Sequence, residues 1–479
     1  MAEHVDVLVI GAGLAGVAAG VYLQREHPGR RYAIVEARDA IGGTWDLFRY
    51  PGVRSDSDMY TLGYRFRPWT GGAALADGAS ILAYVRATAR EAGVDRQVRF
   101  GHRVVGAAWS SAAARWTVTI ARAATGDTLE LTCDFVIACS GYYAYDAGYT
   151  PALPGLERFG GQVVHPQRWG DTAVAGRRVV VLGSGATAVT LVPALARDAA
   201  HVTMLQRSPT YVVSRPAIDP LAARLARWPT AAGYHAVRWK NIALGAASYA
   251  ACRAWPGATR RLLEAGVRAQ LPPGFDVDTH FHPRYAPWDQ RLCLVPDGDL
   301  FAALSSGKAS VVTDEIAGFA ADALELRSGR TLPADLLVTA TGLRVQLFGG
   351  ARLTVDGRAV ELGETHVYKG TMLEGVPNLA LVVGYTNASW TLKCELSLAY
   401  VCRLLRHLDR HGLRVATPMA RGPIGDAPLL DLRSGYVARA AGQVPRQGAR
   451  TPWRLHQNYL RDLALLRARP IDDGALRLA

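Results

Sequence analysis

No two of the six cysteines (Cys133, Cys139, Cys252, Cys293, Cys394 and Cys402) stand in a C-x-x-C pair. That argues against a zinc knuckle or a dithiol redox centre and suits isolated, buried thiols in a reducing cytosol. Lysine is scarce too. Only Lys240, Lys308, Lys369 and Lys393 occur, so arginine carries the net charge of +13. No dense Lys/Arg tract resembles a nucleic-acid arm, and no nucleic-acid partner is expected. A basic surface can still attract a phosphorylated cofactor or an anionic membrane face. No uncharged run is longer than Val179 to Ala196, which is interrupted by Gly183, Gly185 and Pro193. It reads as strand, turn and helix, and a membrane span is excluded. Met-Ala-Glu-His at the start carries no secretory pattern, so a cytoplasmic protein is expected, with peripheral attachment to the inner face of the cell membrane left open. No metal-ligand spacing and no Ser/His/Asp order stands out, and no metal is expected.

What is present is glycine in two telling places. Val5 to Ile10 is a short apolar run, the pattern of a buried parallel strand, and it ends in Gly11-Ala-Gly13-Leu-Ala15-Gly16. A helix follows to about Arg25, then the strand Arg31 to Glu36. Glycines suit this turn because a dinucleotide pyrophosphate lies against the backbone at the helix N-terminus. Glu36 comes twenty places after Gly16, the spacing at which an acid reaches the adenosine ribose. The pattern returns in Gly183-Ser184-Gly185-Ala186-Thr187-Ala188-Val189, between the strand Arg177 to Leu182 and a helix to about Arg197. After the next strand, His201 to Gln206, no acid follows; Arg207 and Ser208 stand there instead. An acid would repel a ribose 2′-phosphate, whereas Arg and a hydroxyl bind it, so the second site is assigned to NADPH. Two dinucleotide sites in one chain suggest hydride transfer between two cofactors.

Between the two signatures lies Phe159-Gly-Gly161-Gln-Val-Val-His165-Pro-Gln-Arg-Trp169-Gly-Asp171. It resembles the fingerprint of the Baeyer–Villiger monooxygenases, which Phe159, Gly161, His165 and Trp169 match. Gly170 departs from it, standing where Pro or Asp belongs, with Asp171 one place late. The loop Ile41 to Asp56, with Gly42-Gly43-Thr44-Trp45-Asp46-Leu47 and Tyr50-Pro-Gly-Val-Arg54-Ser55-Asp56, resembles the segment that lies along FAD in flavin-dependent monooxygenases. The blocks Ala286 to Pro296, Gly384 to Lys393 and Thr451 to Tyr459 extend the resemblance over nearly the whole chain.

The family resemblance implies a class B flavoprotein that binds FAD, NADPH and O2. O2 would add at flavin C4a, and the resulting peroxyflavin would attack a ketone to give an ester or lactone, with S-oxygenation of thioethers or thioamides a further activity. Arg291 matches the catalytic arginine, though Gln290 stands where a lysine often precedes it. Asp56 matches the carboxylate that positions it. The resemblance also adds Val104 to the FAD set, alongside Gly11, Gly13, Ala15, Gly16, Glu36, Thr44, Trp45, Asp46, Leu47, Arg54, Ser55 and Asp56. His165 and Trp169 are taken as interdomain couplers.

The expected fold is α/β, with two Rossmann-like dinucleotide-binding domains and a helical insertion. Residues 1–150 and 341–479 would form the FAD domain, and 151–215 and 301–340 the NADPH domain. Residues 216–300 would be mainly helical, broken near Ala250 to Gly257. In that insertion Trp228, Trp239, Lys240 and Trp255 suit packing at a domain interface, with membrane contact as the alternative. The rival activity is flavin-dependent N- or S-hydroxylation, whose fingerprint normally ends in Tyr or Phe where Trp169 stands. A disulfide reductase lacks its cysteine pair. A redox sensor without turnover is the rival from another class, disfavoured by Arg291 with Asp56.

Overall fold

The computed structural model describes residues 3–225, 230–429 and 434–479. Trp228, one of the tryptophans singled out above, lies outside them.

The larger sheet begins with β1 (Glu3–Ile10), β2 (Tyr32–Val35) and β3 (Val98–Arg99), which run parallel. Val7, Leu8 and Val9 are fully buried, as expected for a strand covered on both faces. The antiparallel part is β4 (His102–Ser110), β5 (Arg115–Arg122) and β6 (Thr128–Ala138). β6 joins the two parts. One of its edges pairs in parallel with β1 from Leu131 to Ala138. Its other edge is divided: Thr128 to Cys133 pairs antiparallel with β5, and Val136 to Ala138 pairs parallel with Leu379–Leu381.

The runs near 98–106, 115–120 and 128–138 alternate like antiparallel strands, and the structure corrects this at both ends. β3 is reached from β2 through the helix Gly78–Glu91, and such a crossover returns the chain in the same direction. The end of β6, Phe135 to Ala138, is apolar and buried on both faces, so it joins the parallel layer.

The smaller sheet has five parallel strands in the order Ala309–Thr313, His201–Gln206, Arg178–Leu182, Leu336–Thr339, Gln162–Val164. Its helix Ala186–Leu195 buries Val189, Leu191 and Val192 against Val179 and Val181. The chain leaves this unit at Val212–Arg215 and re-enters at Cys293–Pro296, two strands paired in parallel. Between them stand the helices Thr230–Ala254 and Pro256–Arg268, separated at Trp255. Pro256 cannot continue the first helix but fits the first turn of the second.

Two crossing segments join the sheets and are zipped to each other. Ala144 N–H donates to Arg344 O (2.9 Å), Gln346 N–H to Tyr142 O (2.9 Å) and Tyr149 N–H to Gly342 O (3.0 Å). Far along the chain, the helix Trp390–His411 shares a core with Leu14–Glu26, Val401 and Leu404 lying among Val17 and Val21. All six cysteines are free and buried. The loop 41–56 is not wholly irregular, because Thr44–Leu47 forms one helical turn.

Candidate active site

The first cradle forms where β1 ends. Gly11 has φ +98°, and a Cβ there would lie 2.7 Å from the Cys139 carbonyl oxygen at the end of β6. Only glycine allows that approach. Gly13 begins the helix Leu14–Glu26 in extended conformation, and no side chain caps the helix N-terminus. Ala15 and Gly16 are buried in its first turn, Gly16 packed on Gly11 O. Glu36 is 6 % exposed and accepts N–H bonds from Ala12 (2.7 Å) and Arg38 (3.0 Å). It therefore holds an acid carboxylate against the glycine turn. The buried Ser140 Oγ beside Gly11 has no partner among the described residues.

The 41–56 loop closes over this turn. A Cβ on Gly43 would come 2.9 Å from Gly13 Cα, so the two glycines face one another. Thr44 Oγ1 lies 3.3 Å from the hydroxyl of Tyr145, a phenol that burial pushes up to about 12. Asp46, 5 % exposed, is held by Arg38 and Arg49 (2.5 Å each) and Arg86 (2.8 Å). Three arginines around one carboxylate fix the turn; Trp45 and Leu47 are half-buried on it. Val104 is placed differently from the rest. Its side chain is in the core with Ile10 and Val35, next to a bulge between β4 and β5. An uncapped helix start, a glycine wall, a buried acid and an unpaired hydroxyl fit the pyrophosphate and ribose of a dinucleotide.

The second cradle is more open. A Cβ on Gly183 would lie 2.4 Å from Ala340 O, whereas Gly185 meets nothing within 4 Å. Gly185 and Ala186 are exposed at the uncapped start of Ala186–Leu195, with Thr187 beside them and Ala188 and Val189 buried behind. Ser184 Oγ donates to Ser208 O (3.0 Å), tying this turn to the loop after His201–Gln206. Arg207 and Ser208 are both exposed there. Gln206 is occupied, donating to His280 O (2.8 Å) and Thr313 Oγ1 (2.9 Å). Arg207 and Ser208 thus stand exposed beside this turn, where the sequence reading puts them.

The two cradles are tied together by the second half of the same loop. Gly52 has φ +76°, and a Cβ there would be 2.7 Å from Ala194 Cβ and 2.9 Å from Thr190 O. The loop thus rests directly on the helix of the other unit. Tyr50 adds a hydrogen bond to Thr187, and its burial raises the phenol to about 12. Arg54 forms a two-pronged pair with Asp299 (2.5 and 3.2 Å). The sequence reading places Arg54 at the cofactor, and in the structure its guanidinium also holds a protein partner. Ser55 is buried, its Oγ accepting from Ser57 N–H (2.9 Å). Asp56 meets Arg291 at 3.2 Å, both side chains about one-third exposed. Residues 235 positions apart are thereby paired.

Arg291 follows a tight turn. Asp289 N–H donates to Ala286 O (3.0 Å), and Trp288 adopts φ +69°. Left-handed backbone is unusual for a bulky residue and marks a constrained site. Trp288 Nε1 is buried without a partner among the described residues. Sequence reasoning missed Trp288, Tyr145 and Tyr50. The Tyr-Tyr-Ala-Tyr run after Gly141 was the available signal for Tyr145; nothing in the sequence marks Trp288 as left-handed.

The fingerprint lies at the crossing segments. His165 Nε2–H donates to Gly342 O (3.2 Å), and Nδ1 accepts from Gln167 N–H (3.1 Å). That pattern requires the neutral ring, and burial lowers its basicity. Gln167 Nε2 donates to Ala144 O (2.9 Å) on the other crossing segment. Phe159 packs on Phe319, and a Cβ on Gly161 would lie 2.8 Å from Asp335 O. Trp169 is buried with Tyr50 and Val164. A separate grouping, His4, Asp6 and Asp134, brings its ligand atoms within 4.8 Å of one another. His4 and Asp6 already have protein partners in Thr132 and Arg31 N–H.

Comparison with known proteins agrees with this geometry. The flavin-binding monooxygenase-like family model matches residues 74–220, and an NAD(P)-binding Rossmann-like domain model matches residues 9–69. The chain is 55 % identical over 483 aligned positions to the FAD-containing monooxygenase EthA of Mycobacterium tuberculosis (strain ATCC 25618 / H37Rv), covering 100 % of this chain and 98 % of that one. Among solved structures, an open crystal structure of cyclohexanone monooxygenase superposes with TM-score 0.76 at 21 % identity, covering 100 % of both chains. An oxidised steroid monooxygenase bound to NADP superposes with TM-score 0.72 at 24 % identity, covering 87 % of this chain and 88 % of that one. With more than half its residues shared along its full length with such a relative, the chain belongs to the family of flavin-binding, FAD-containing monooxygenases.

Proposed function

We propose that this monooxygenase carries out Baeyer–Villiger oxidation, in which ketone, O2, NADPH and a proton become ester or lactone, NADP+ and water. FAD and NADPH are its cofactors. The observation that supports the reaction is the Asp56–Arg291 pair, which sets a permanent cation beside a loop shared by both cradles.

Bound FAD, once reduced by NADPH, supplies the activation of O2. The chain's own residues do the rest. The helix starts at Gly13 and Gly185 bind the two pyrophosphates with backbone N–H groups. Glu36 accepts from a ribose hydroxyl, while Arg207 and Ser208 hold the 2′-phosphate. Arg291 keeps its proton at any working pH and stabilises negative charge that develops on oxygen. Asp56 holds that guanidinium in place. Through Gly342 and Ala144, His165 and Gln167 fix the crossing segments on which the two units meet.

The test is to incubate purified protein with NADPH, O2 and a panel of aliphatic, cyclic and aryl ketones. NADPH and O2 should be consumed in equal amounts, with a product sixteen mass units heavier that is an ester or lactone. A thioether or thioamide panel measures sulfur oxygenation alongside. Turnover of sulfur or nitrogen compounds with no ketone converted would favour the hydroxylase reading, and no NADPH-driven flavin reduction would remove both.

A further inference from the structure

We infer that His4, Asp6 and Asp134 form a binding site for a divalent transition-metal ion such as zinc, at the end of the larger sheet away from the cofactors. No metal-ligand spacing shows in the sequence, because two of the ligands come from β1 and the third from β6. Strand pairing brings them together. β1 and β6 run parallel, with His4 opposite Thr132, Val5 opposite Cys133 and Val7 opposite Phe135. Asp6 and Asp134 fall between the last two pairs, side by side. At this level β1 bulges: the N–H groups of Asp6 and Val7 both donate to Arg31 O (2.9 and 3.2 Å). Alternation breaks there, since Val5 packs with Leu8 and Ile10 while Val7 packs with Val9. The ligand atoms of His4, Asp6 and Asp134 converge at the bulge, all within 4.8 Å of one another.

The partners these side chains already have orient them for a cation. His4 Nδ1 meets Thr132 Oγ1 (3.0 Å), and the Thr132 hydroxyl reaches Glu3 O (3.3 Å). With Thr132 donating to Glu3, its lone pair takes the Nδ1–H of His4, and Nε2 is left as a bare acceptor. Metal-bound imidazoles are commonly fixed in this way through their other nitrogen. Nε2 faces Asp134 Oδ2 at 3.7 Å, too long for a hydrogen bond. Two ligands about 2.1 Å from one tetrahedral ion stand about 3.4 Å apart, close to that separation. Asp6 Oδ2 accepts from Arg31 N–H (2.7 Å), which steadies this carboxylate as well.

Charge and donor type select the occupant. Two carboxylates on adjacent strands repel one another, and a cation between them removes that cost. The Arg31 guanidinium lies 3.8 Å from Asp6 Oδ1, but its side chain is 70 % exposed, and so screened a pair holds weakly. Asp6 and Asp134 also line a cavity of about 510 Å³, which has room for the waters that complete a coordination shell. Of that cavity's two arginines, Arg30 is held by Asp409 (2.5 Å) and Arg414 is exposed to solvent. One imidazole with two carboxylates suits zinc or cobalt, whereas magnesium and calcium favour oxygen alone. Asp6 precedes Gly11 by five residues on an extended strand, about 16 Å. The ion would therefore tie β1 to β6 and act on stability and not on turnover.

The experiment uses the FAD-loaded full chain, free of any affinity tag, stripped of metal by a chelator and then dialysed against zinc. The chain should retain about one equivalent, and saturating zinc should raise the midpoint of thermal unfolding by about 3–5 °C. His4→Gln and Asp134→Asn should each weaken zinc binding by roughly tenfold or more. In metal-free protein Asp134→Asn should leave the midpoint unchanged or raise it, because it relieves the repulsion with Asp6. Flavin content and NADPH oxidation should match the parent chain in both variants, which separates a lost ligand from misfolding. A parent chain that retains no zinc would overturn the proposal. So would equal binding by the parent and both variants, since the ion would then sit elsewhere, as at His407 and His411, whose rings lie 4.2 Å apart.

Discussion

Replacing Arg291 with alanine tests the proposed chemistry most sharply, because the structure separates its effect on folding from its effect on turnover. The pair with Asp56 spans 3.2 Å, with both side chains about one-third exposed. Solvent screens a pair so placed, and its net contribution to stability is about 0–1 kcal/mol. In a chain this long such a loss shifts the midpoint of thermal unfolding by no more than about 2 °C. The catalytic loss is far larger. A preorganised cation at developing negative charge is worth about 2.7–4 kcal/mol, a hundred- to thousand-fold in kcat. Flavin content should be near normal, since Gly11, Gly13, Glu36 and the Thr44–Leu47 turn are held by Cys139, by one another and by Arg38, Arg49 and Arg86. Three readings settle the matter: flavin absorbance, NADPH oxidation, and product quantified against hydrogen peroxide. The expected outcome is NADPH consumption that yields peroxide in place of ester. Ester formation at near wild-type rate would refute the role. Lys393 is a poor substitute, being buried 3.1 Å from Asp462, whose other partner is Tyr385 at 2.8 Å.

Arg207→Ala should weaken NADPH by roughly ten- to hundred-fold while leaving NADH nearly unaffected, because one charge-assisted contact contributes about 1.5–3 kcal/mol; steady-state KM for each cofactor decides it. Gly52→Val places a side chain 2.7 Å from Ala194 Cβ at φ +76°. It should lower stability by about 1–3 kcal/mol and reduce coupling between the units, read as slower flavin reduction at saturating NADPH. His165 is held neutral, with a folded-state basicity below that of a free imidazole. The unfolded chain therefore binds the proton more readily, so the ring's contribution is present above about pH 6.5 and is lost as pH falls below it. His165→Gln should remove that part of the acid-side decline, and thermal melts of both proteins between about pH 5 and 7 would reveal the difference. Parallel pH curves would show that His165 does not titrate on unfolding.

Both nucleotide units were legible because local rules write them. An apolar strand, a glycine turn and a helix recur at 5–26 and 177–197, and the sheets form around them as expected. The break at Trp255 was legible from Pro256. Less visible were features made by distant partners. Arg54 carries no mark that Asp299 will take its charge. Alternation along 128–138 could not reveal that one edge of β6 would serve two strands of opposite direction. That Trp239 packs on Tyr459 while Trp255 stays exposed likewise depends on which helix face finds a partner.

The sequence by itself determined that the chain carries two dinucleotide signatures, and Arg207 with Ser208 is the sequence reason for assigning the 2′-phosphate to the second. Backbone turns and the first residue after a strand act over a few positions, and their chemistry is fixed before the chain folds. Only the tertiary structure decided what stands between them. Gly52 is required because the helix Ala186–Leu195 arrives against it. Asp56 and Arg291 meet only because the insertion leaves and returns through two adjacent parallel strands. Contacts across 235 residues have no local signature, since nothing in either segment's own propensities depends on the other.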